Sequence, residues 1–284
     1  MKKVLVTGAT GFIGNYVIEN LLQQQYNVIA SSANVEKAKQ ASWYHLVNYI
    51  PLNLKELDNN IDYYNYFQKP DLMIHLAWEG LPNYKASFHV EKNLPNHYLL
   101  LKNFILNGLK DITITGTCLE YGMQEGCLSE SLLAMPTNSY AIAKDKLRIS
   151  LEELQKGSDC IIKWVRLFYM YGKWQNPNSL LSQLDKALTN GDKVFNMSGG
   201  EQQRDFLPVE KVAKNIIKIA LKKEVCGVIN CCSGQPITVK TFVENYLKAN
   251  NKQIKLNLGY YPYTDYEPMH FWGDNKKLKS VINE

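Results

Sequence analysis

No stretch of this 284-residue chain approaches the run of about 18 apolar residues that a membrane-spanning helix needs. The opening MKKVLVTGAT is basic, but its apolar run stops at Thr7 and Gly8, which does not read as a secretory leader. Cysteine is sparse and unpatterned. Cys118, Cys127, Cys160, Cys226, Cys231 and Cys232 form no CxxC pair, and the five histidines are scattered without metal-ligand spacing. No metal is therefore expected, and a reducing, cytoplasmic setting fits, with the cysteines as small buried hydrophobes. Like charges form no block either. The net charge of +5 comes from dispersed lysines such as Lys2, Lys3, Lys37, Lys222 and Lys276, with no basic run interleaved with aromatics. That argues against a nucleic-acid partner, whereas a mild positive balance suits small phosphorylated substrates. Low-complexity tracts, internal repeats and flexible linkers are also missing, and 45% hydrophobic with 21% charged residues describes an ordinary globular chain.

What is present alternates. Val4 to Val6, YNVIAS, DLMIHLA, DITITGT and CIIKWVRLF read as five short strands. Between them lie helical patterns: Ile13, Val17 and Leu21 repeat at four-residue spacing, Leu101 and Ile105 precede a glycine, and Ile142, Leu147, Leu151 and Leu154 mark one face. Strands alternating with helices predict an α/β fold with a doubly wound parallel sheet of Rossmann type. After Phe168 the rhythm turns to Gly, Asn and Pro, which predicts a small carboxy-terminal substrate-binding lobe. Residues 1–165 are assigned to dinucleotide binding, with 206–233 returning to that domain, and 166–284 mainly to the lobe.

Gly8, Gly11 and Gly14 follow the first strand and open a helix. Glycine there allows a tight turn and close approach of a pyrophosphate to free N–H groups at the positive helix end. A plain strand-to-helix turn would read the same way on this spacing alone. At the end of the second strand, where a carboxylate usually binds the adenosine 2′-hydroxyl, stands Ser32. No negative charge opposes a 2′-phosphate, and Ser31, Ser32 or Lys37 could donate to one, so NADPH is expected over NAD. Tyr140 and Lys144 lie four residues apart on one helix face, an arrangement in which an ammonium lowers a phenol's pKa toward working pH. An ordinary amphipathic helix also produces that spacing. Thr117, however, ends the strand DITITGT, where open α/β sheets bind their ligands.

In order, TGATGFIG, DLMIHLA, TGTCLEYG, YAIAK, RLFYMYG and QQRDFLPVEKVA resemble the extended short-chain dehydrogenase/reductase family, nucleotide-sugar branch, over essentially the whole chain. The resemblance implies that Thr117, Tyr140 and Lys144 are catalytic. Its candidate cofactor set is Gly8, Thr10, Gly11, Phe12, Ile13, Gly14, Ser31, Ser32, Asn53, Leu54, Leu76, Ala77, Trp78, Asn93, Thr115, Tyr140, Lys144 and Phe168. The candidate substrate set is Glu79, Thr117, Cys118, Tyr169, Asn178 and Arg204, with Arg204 gripping a nucleotide diphosphate.

Family 4,6-dehydratases carry Asp-Glu directly after the catalytic threonine. Here Cys118 and Leu119 occupy those places, and Glu120, one step later in a strand-like segment, should face away. The expected reaction is NADPH-dependent reduction of the 4-keto group of a dTDP- or CDP-linked 4-keto-6-deoxyhexose, for surface polysaccharide (O-antigen) synthesis. An NAD-dependent nucleotide-sugar 4-epimerase is the alternative, followed by a non-catalytic NADP-binding sensor or scaffold. A homodimer is expected by resemblance only. His75 reads as packed or hydrogen-bonded rather than catalytic, and Cys231 and Cys232 as core. The aromatic tail YYPYTDYEPMHFWGD is open between loop packing and nucleotide contact.

Overall fold

The computed structural model describes residues 2–283. Seven strands make one parallel sheet: β1 Lys3–Thr7, β2 Asn27–Ser31, β3 Asn48–Tyr49, β4 Leu72–His75, β5 Asp111–Thr117, β6 Ile161–Leu167 and β7 Gly227–Cys231. Their order is β7-β6-β5-β4-β1-β2-β3. The winding reverses between β1 and β4, and at such a switch point the strand ends leave a crevice for ligands. The chain is thus α/β with a doubly wound, Rossmann-like sheet.

The two-residue period of each strand sends alternate side chains to opposite faces. On one face Val4, Val6, Ile74 and Val165 pack with Val17 and Leu21 of helix α1 (Phe12–Gln23) and Ile216 of α4 (Val209–Leu221). On the other, Leu5, Met73, Ile112 and Trp164 meet Leu101 and Phe104 of α2 (Leu94–Leu106) and Leu147 and Leu151 of α3 (Ser139–Gln155). Both faces are covered, which is why the strands read as nearly continuous apolar runs. A π-turn over His89–Asn93 runs directly into α2 and buries His89 and Asn93.

Beyond β6, a three-stranded sheet of Tyr169–Tyr171, Gln203–Pro208 and Pro236–Thr238 adjoins a pair formed by Val194–Asn196 and Lys255–Asn257. With the helices Leu180–Asn190 and Val239–Ala249 they enclose a separate core of Leu184, Phe195, Met197 and Val243. Among the described residues no helix is long and apolar enough to cross a membrane.

Truncating Ile216, fully buried between α4 and the sheet, to alanine is expected to cost about 2–5 kcal/mol. Leu133→Ala, at a side chain 82% exposed, should stay within about 0.5 kcal/mol. Urea unfolding midpoints of the two variants check the contrast.

Candidate active site

Gly8 has φ +71°, and a Cβ there would lie 2.7 Å from the amide nitrogen of Ala77 on the neighbouring strand end. A Cβ on Gly14 would collide with the carbonyl oxygens of Gly8 and Ala9. The glycines therefore let β1, the end of β4 and α1 approach more closely than side chains permit. Gly11, the residue before α1, offers no side-chain cap, so the donors of the first turn remain available to an anion. This cradle fits a dinucleotide pyrophosphate.

Two cavities flank the turn. One of about 210 Å³ is lined by Thr10, Ser31, Ser32, Leu54, Ala77 and Glu79 among others. The other, of about 400 Å³, brings together Phe12, Ile13, Gly14, Thr115, Thr117, Cys118, Tyr140, Lys144, Phe168 and Tyr169. Gly8, Gly11, Leu76 and Trp78 line both. Most of the sequence-derived set thus converges on one cleft. Asn53 stays outside both cavities, its amide oxygen capping a short turn through Lys55 N–H at 3.1 Å. Asn93 lies behind the wall and donates to the Glu79 carbonyl at 3.0 Å. Glu79 lines the smaller cavity, beyond the substrate side, and pairs with Lys55 at 2.7 Å. Asn178 lines neither cavity, and its backbone N–H donates to Asn176 Oδ1 at 2.8 Å; Gln175 and Asn176 line the larger cavity in its stead.

Lys144 is 1% exposed. Its Nζ donates to the Thr115 carbonyl at 2.8 Å and lies 4.0 Å from the centroid of the Trp78 ring. Burial lowers its pKa to about 7, opposed by the negative charge of Glu120. Burial likewise holds the Tyr140 phenol well above its ordinary value; Tyr84, Glu120 and Cys118 add to this and a hydrogen bond with Thr117 works against it. The sequence leads one to expect the ammonium, together with an oxidised nicotinamide, to lower the phenol; among the protein's own groups burial is the largest effect. Behind Trp78 runs a buried chain: Thr7 Oγ1 and His75 Nδ1 are 2.8 Å apart, His75 Nε2 and His97 Nδ1 2.8 Å, and His97 stacks on Trp78 at 4.4 Å. His75, its pKa lowered to about 3 by burial and then by Lys144, is a packed, hydrogen-bonded neutral group.

On the substrate side Arg204, 3% exposed, donates to Glu267 Oε2 at 3.2 Å and to the carbonyls of Gln203 and Met269. Its guanidinium lies 4.6 Å from the Phe271 ring centroid. Glu267 lines the larger cavity, whereas Arg204 stands behind it. Sequence reasoning missed Glu267, Tyr84, Gln175 and Asn176. The only signal for Glu267 was its place in the aromatic tail. Glu120 does face away from the cavity, but through a different geometry from that expected: Cys118–Tyr121 is a 3₁₀ turn rather than a strand, and a capping box with Thr117 directs the carboxylate inward.

A glycine cradle at a switch point, joined to a cleft holding a hydroxyl, a phenol and an amine, defines a dinucleotide-dependent oxidoreductase site. Residues 4–232 match the model of the NAD dependent epimerase/dehydratase family, and the chain belongs to that family. It is 28% identical over 271 residues to a dTDP-6-deoxy-L-talose 4-dehydrogenase (NAD(+)) of Aggregatibacter actinomycetemcomitans, covering 95% of this chain and 98% of the relative. A GDP-6-deoxy-D-talose 4-dehydrogenase of the same organism is 28% identical, covering 99% and 91%. In fold it is similar to the UDP-glucuronic acid 4-epimerase of Bacillus cereus, solved with UDP-glucuronic acid and NAD. That likeness has a TM-score of 0.84 at 24% identity and covers 99% and 93% of the two chains.

Because the unfolded lysine titrates near 10.4 and Lys144 near 7, the unfolded chain binds more protons between those values. The stability of the protein relative to Lys144→Met should therefore rise as pH increases from about 7 to about 10. Urea melts of both proteins at several pH values measure it. A flat difference would mean that Lys144 is not desolvated as the structure has it.

Proposed function

We propose that this protein uses NAD to oxidise and re-reduce C4 of a nucleotide-linked hexose, so that the net reaction is 4-epimerisation. The observation that carries this reading is the convergence of Thr117, Tyr140 and Lys144 on the cleft that begins at the glycine turn. NAD is favoured over the NADPH expected from Ser32. No lysine or arginine lines the adenosine-end cavity, Glu79 brings a carboxylate to it, and Ser32 Oγ is tied to the Tyr49 hydroxyl at 3.0 Å. A 2′-phosphate would meet the Glu79 carboxylate, whose partner Lys55 is already engaged with it at 2.7 Å. The NAD-bound epimerase fold and the name of the dTDP-6-deoxy-L-talose relative support the same preference.

Bound along the turn, the nicotinamide would supply the hydride acceptor and, on return, the donor. The chain's own residues handle the proton. Tyr140 exchanges it with the C4 oxygen, and the Thr117 hydroxyl hydrogen-bonds that oxygen and sets its distance from the phenol. In the free site the phenol is protonated, the form that donates to a C4 ketone. Oxidation needs the phenolate, which the Lys144 ammonium on the same helix face favours. Trp78 favours retention of the cofactor, as epimerisation requires. It stands at the junction of both cavities, pinned by His97 at 4.4 Å and by its Nε1–H donating to His89 Nδ1 at 3.1 Å.

A second reading, a 4-dehydrogenase working in either direction, is favoured by the dTDP-6-deoxy-L-talose relative, matched over 98% of its length. A 4-dehydrogenase and a 4-ketoreductase are one hydride transfer run opposite ways, so this reading retains the reductase chemistry.

Incubation with dTDP-, UDP-, GDP- and CDP-hexoses without added NAD should yield the C4 epimer by NMR, with NAD released from the protein on denaturation. Tyr140→Phe should lower that turnover by about a hundredfold or more while dinucleotide binding stays within about twofold. Net NADH formation at 340 nm on adding NAD would instead select the dehydrogenase. Full activity in Tyr140→Phe would overturn both readings.

A further inference from the structure

A buried carboxylate sits directly beneath the proposed catalytic threonine, on the side away from the cavity. Glu120 is fully buried and Arg166 is 2% exposed. Glu120 Oε1 accepts the backbone N–H of Thr117 at 2.9 Å and the Trp164 indole N–H at 3.0 Å, while Oε2 accepts Arg166 Nε–H at 2.7 Å. The Thr117 hydroxyl oxygen in turn accepts Leu119 N–H at 3.3 Å, which completes the reciprocal cap. Arg166 lies 4.4 Å from the Tyr121 ring centroid, and the Tyr121 hydroxyl donates to Asn230 Oδ1 at 2.8 Å, so the carboxylate's own anchor is anchored through β7. Gly116 makes room for this arrangement: a Cβ there would collide with both Trp164 Nε1 and Glu120 Oε1.

The end of β5 is consequently held from two sides. Lys144 grips the Thr115 carbonyl at 2.8 Å, and Glu120 grips the Thr117 amide two residues on. From this geometry we infer that Glu120 is a positioning residue of the active site, which fixes Thr117 relative to Tyr140 and carries a negative charge into the low-dielectric wall behind Lys144. The inference rests on the proposed role of Thr117, Tyr140 and Lys144. A stability role alone is the weaker account, since a buried ion pair often contributes no more than well-packed apolar residues of the same volume. The groups that feel the carboxylate are Arg166, Trp164, Tyr121, Cys118 and, through its charge, Tyr140; those around Lys144 are Trp78, His75, His89 and His97. With the histidines neutral, Glu120 is the anionic group that supports the ammonium.

The test is a cycle of Glu120→Gln, Thr117→Ala and the double variant in the cofactor-loaded protein. Glutamine keeps the shape and one acceptor but removes the charge. Glu120→Gln should lower kcat about tenfold or more with KM within about twofold, because a small misplacement of a reacting group is costly. The same change should lower kcat several-fold less once Thr117 is alanine, the remainder being the effect of the charge on Lys144 and Tyr140. Independently of any substrate, NMR titration of lysine labelled at Cε should move the Lys144 midpoint to lower pH in Glu120→Gln, and removing the opposite charge with Glu120→Gln/Arg166→Gln should bring it back. If Glu120→Gln does not fold, Trp164→Phe removes one donor from the carboxylate while keeping the ring, and it should lower kcat in the same Thr117-dependent way. Fully additive rate effects with an unmoved Lys144 midpoint would overturn the inference and leave Glu120 a structural residue. A wild-type protein inactive on every nucleotide sugar would sink the proposed function, while the titration would still decide whether Glu120 acts on the site.

Discussion

Lys144 carries its amine into the interior between one carbonyl, Thr115 at 2.8 Å, and one aromatic face, Trp78 at 4.0 Å. A buried cation with so few partners is close to losing its proton, and the surroundings are arranged around that cost. Trp78 can present its face only because His97 stacks behind it, and His97 is itself hydrogen-bonded to His75 and, through it, to Thr7. Those histidines are held neutral by burial and by the ammonium beside them, so no second cation forms in the same pocket. A strand end, a helix face and the loop after β4 are thereby tied to a single charge.

The sheet makes this economical. Parallel strands deliver their carboxyl ends to one edge, so Thr7, His75 and Thr117 arrive together without any long loop having to be ordered. The glycine turn adds a feature that demands special backbone geometry. Gly8, at φ +71°, lets the end of β4 pass within van der Waals distance of the turn, and this same closeness puts Leu76 and Trp78 on both cavities. The glycine cradle and the Thr117, Tyr140 and Lys144 side chains are therefore parts of one packed unit.

What could be read from the sequence follows from how local each signal is. The glycine spacing, the Tyr140–Lys144 pair and the strand ending at Thr117 each depend on residues a few positions apart, and the fold places them together. Partnerships across the sheet left no such trace. Arg166 reaches Glu120 from 46 residues away, and Arg204 meets Glu267 from 63 residues away. Asn53 and Asn178 mark a different limit: short polar side chains in turns bind the nearest backbone, and local capping captured both Asn53 and the segment around Asn176. Ser32 was judged by the absence of a carboxylate at its own position, yet Glu79, from the loop after β4, brings one to the same cavity.

Lys144 and Arg204 both have partners within the protein, Lys144 the Thr115 carbonyl and Arg204 the Glu267 carboxylate. A nucleotide diphosphate drawn toward Arg204 would have to compete with the Glu267 carboxylate, since two anions cannot share one buried guanidinium without a large repulsive cost. Under the proposed function, binding on that side would be an exchange of partners rather than the filling of an open cationic hole, with the Glu267 carboxylate at the cavity wall. It can accept hydrogen bonds from hydroxyl groups there, whereas an additional acidic substituent would meet its charge. The apolar remainder of the wall, Leu81, Pro82, Leu119, Phe168 and Met170, offers no counter-ion. Under the proposed function, a diphosphate on that side would have to take Arg204 from Glu267, and an acidic substituent placed beside Glu267 would be disfavoured.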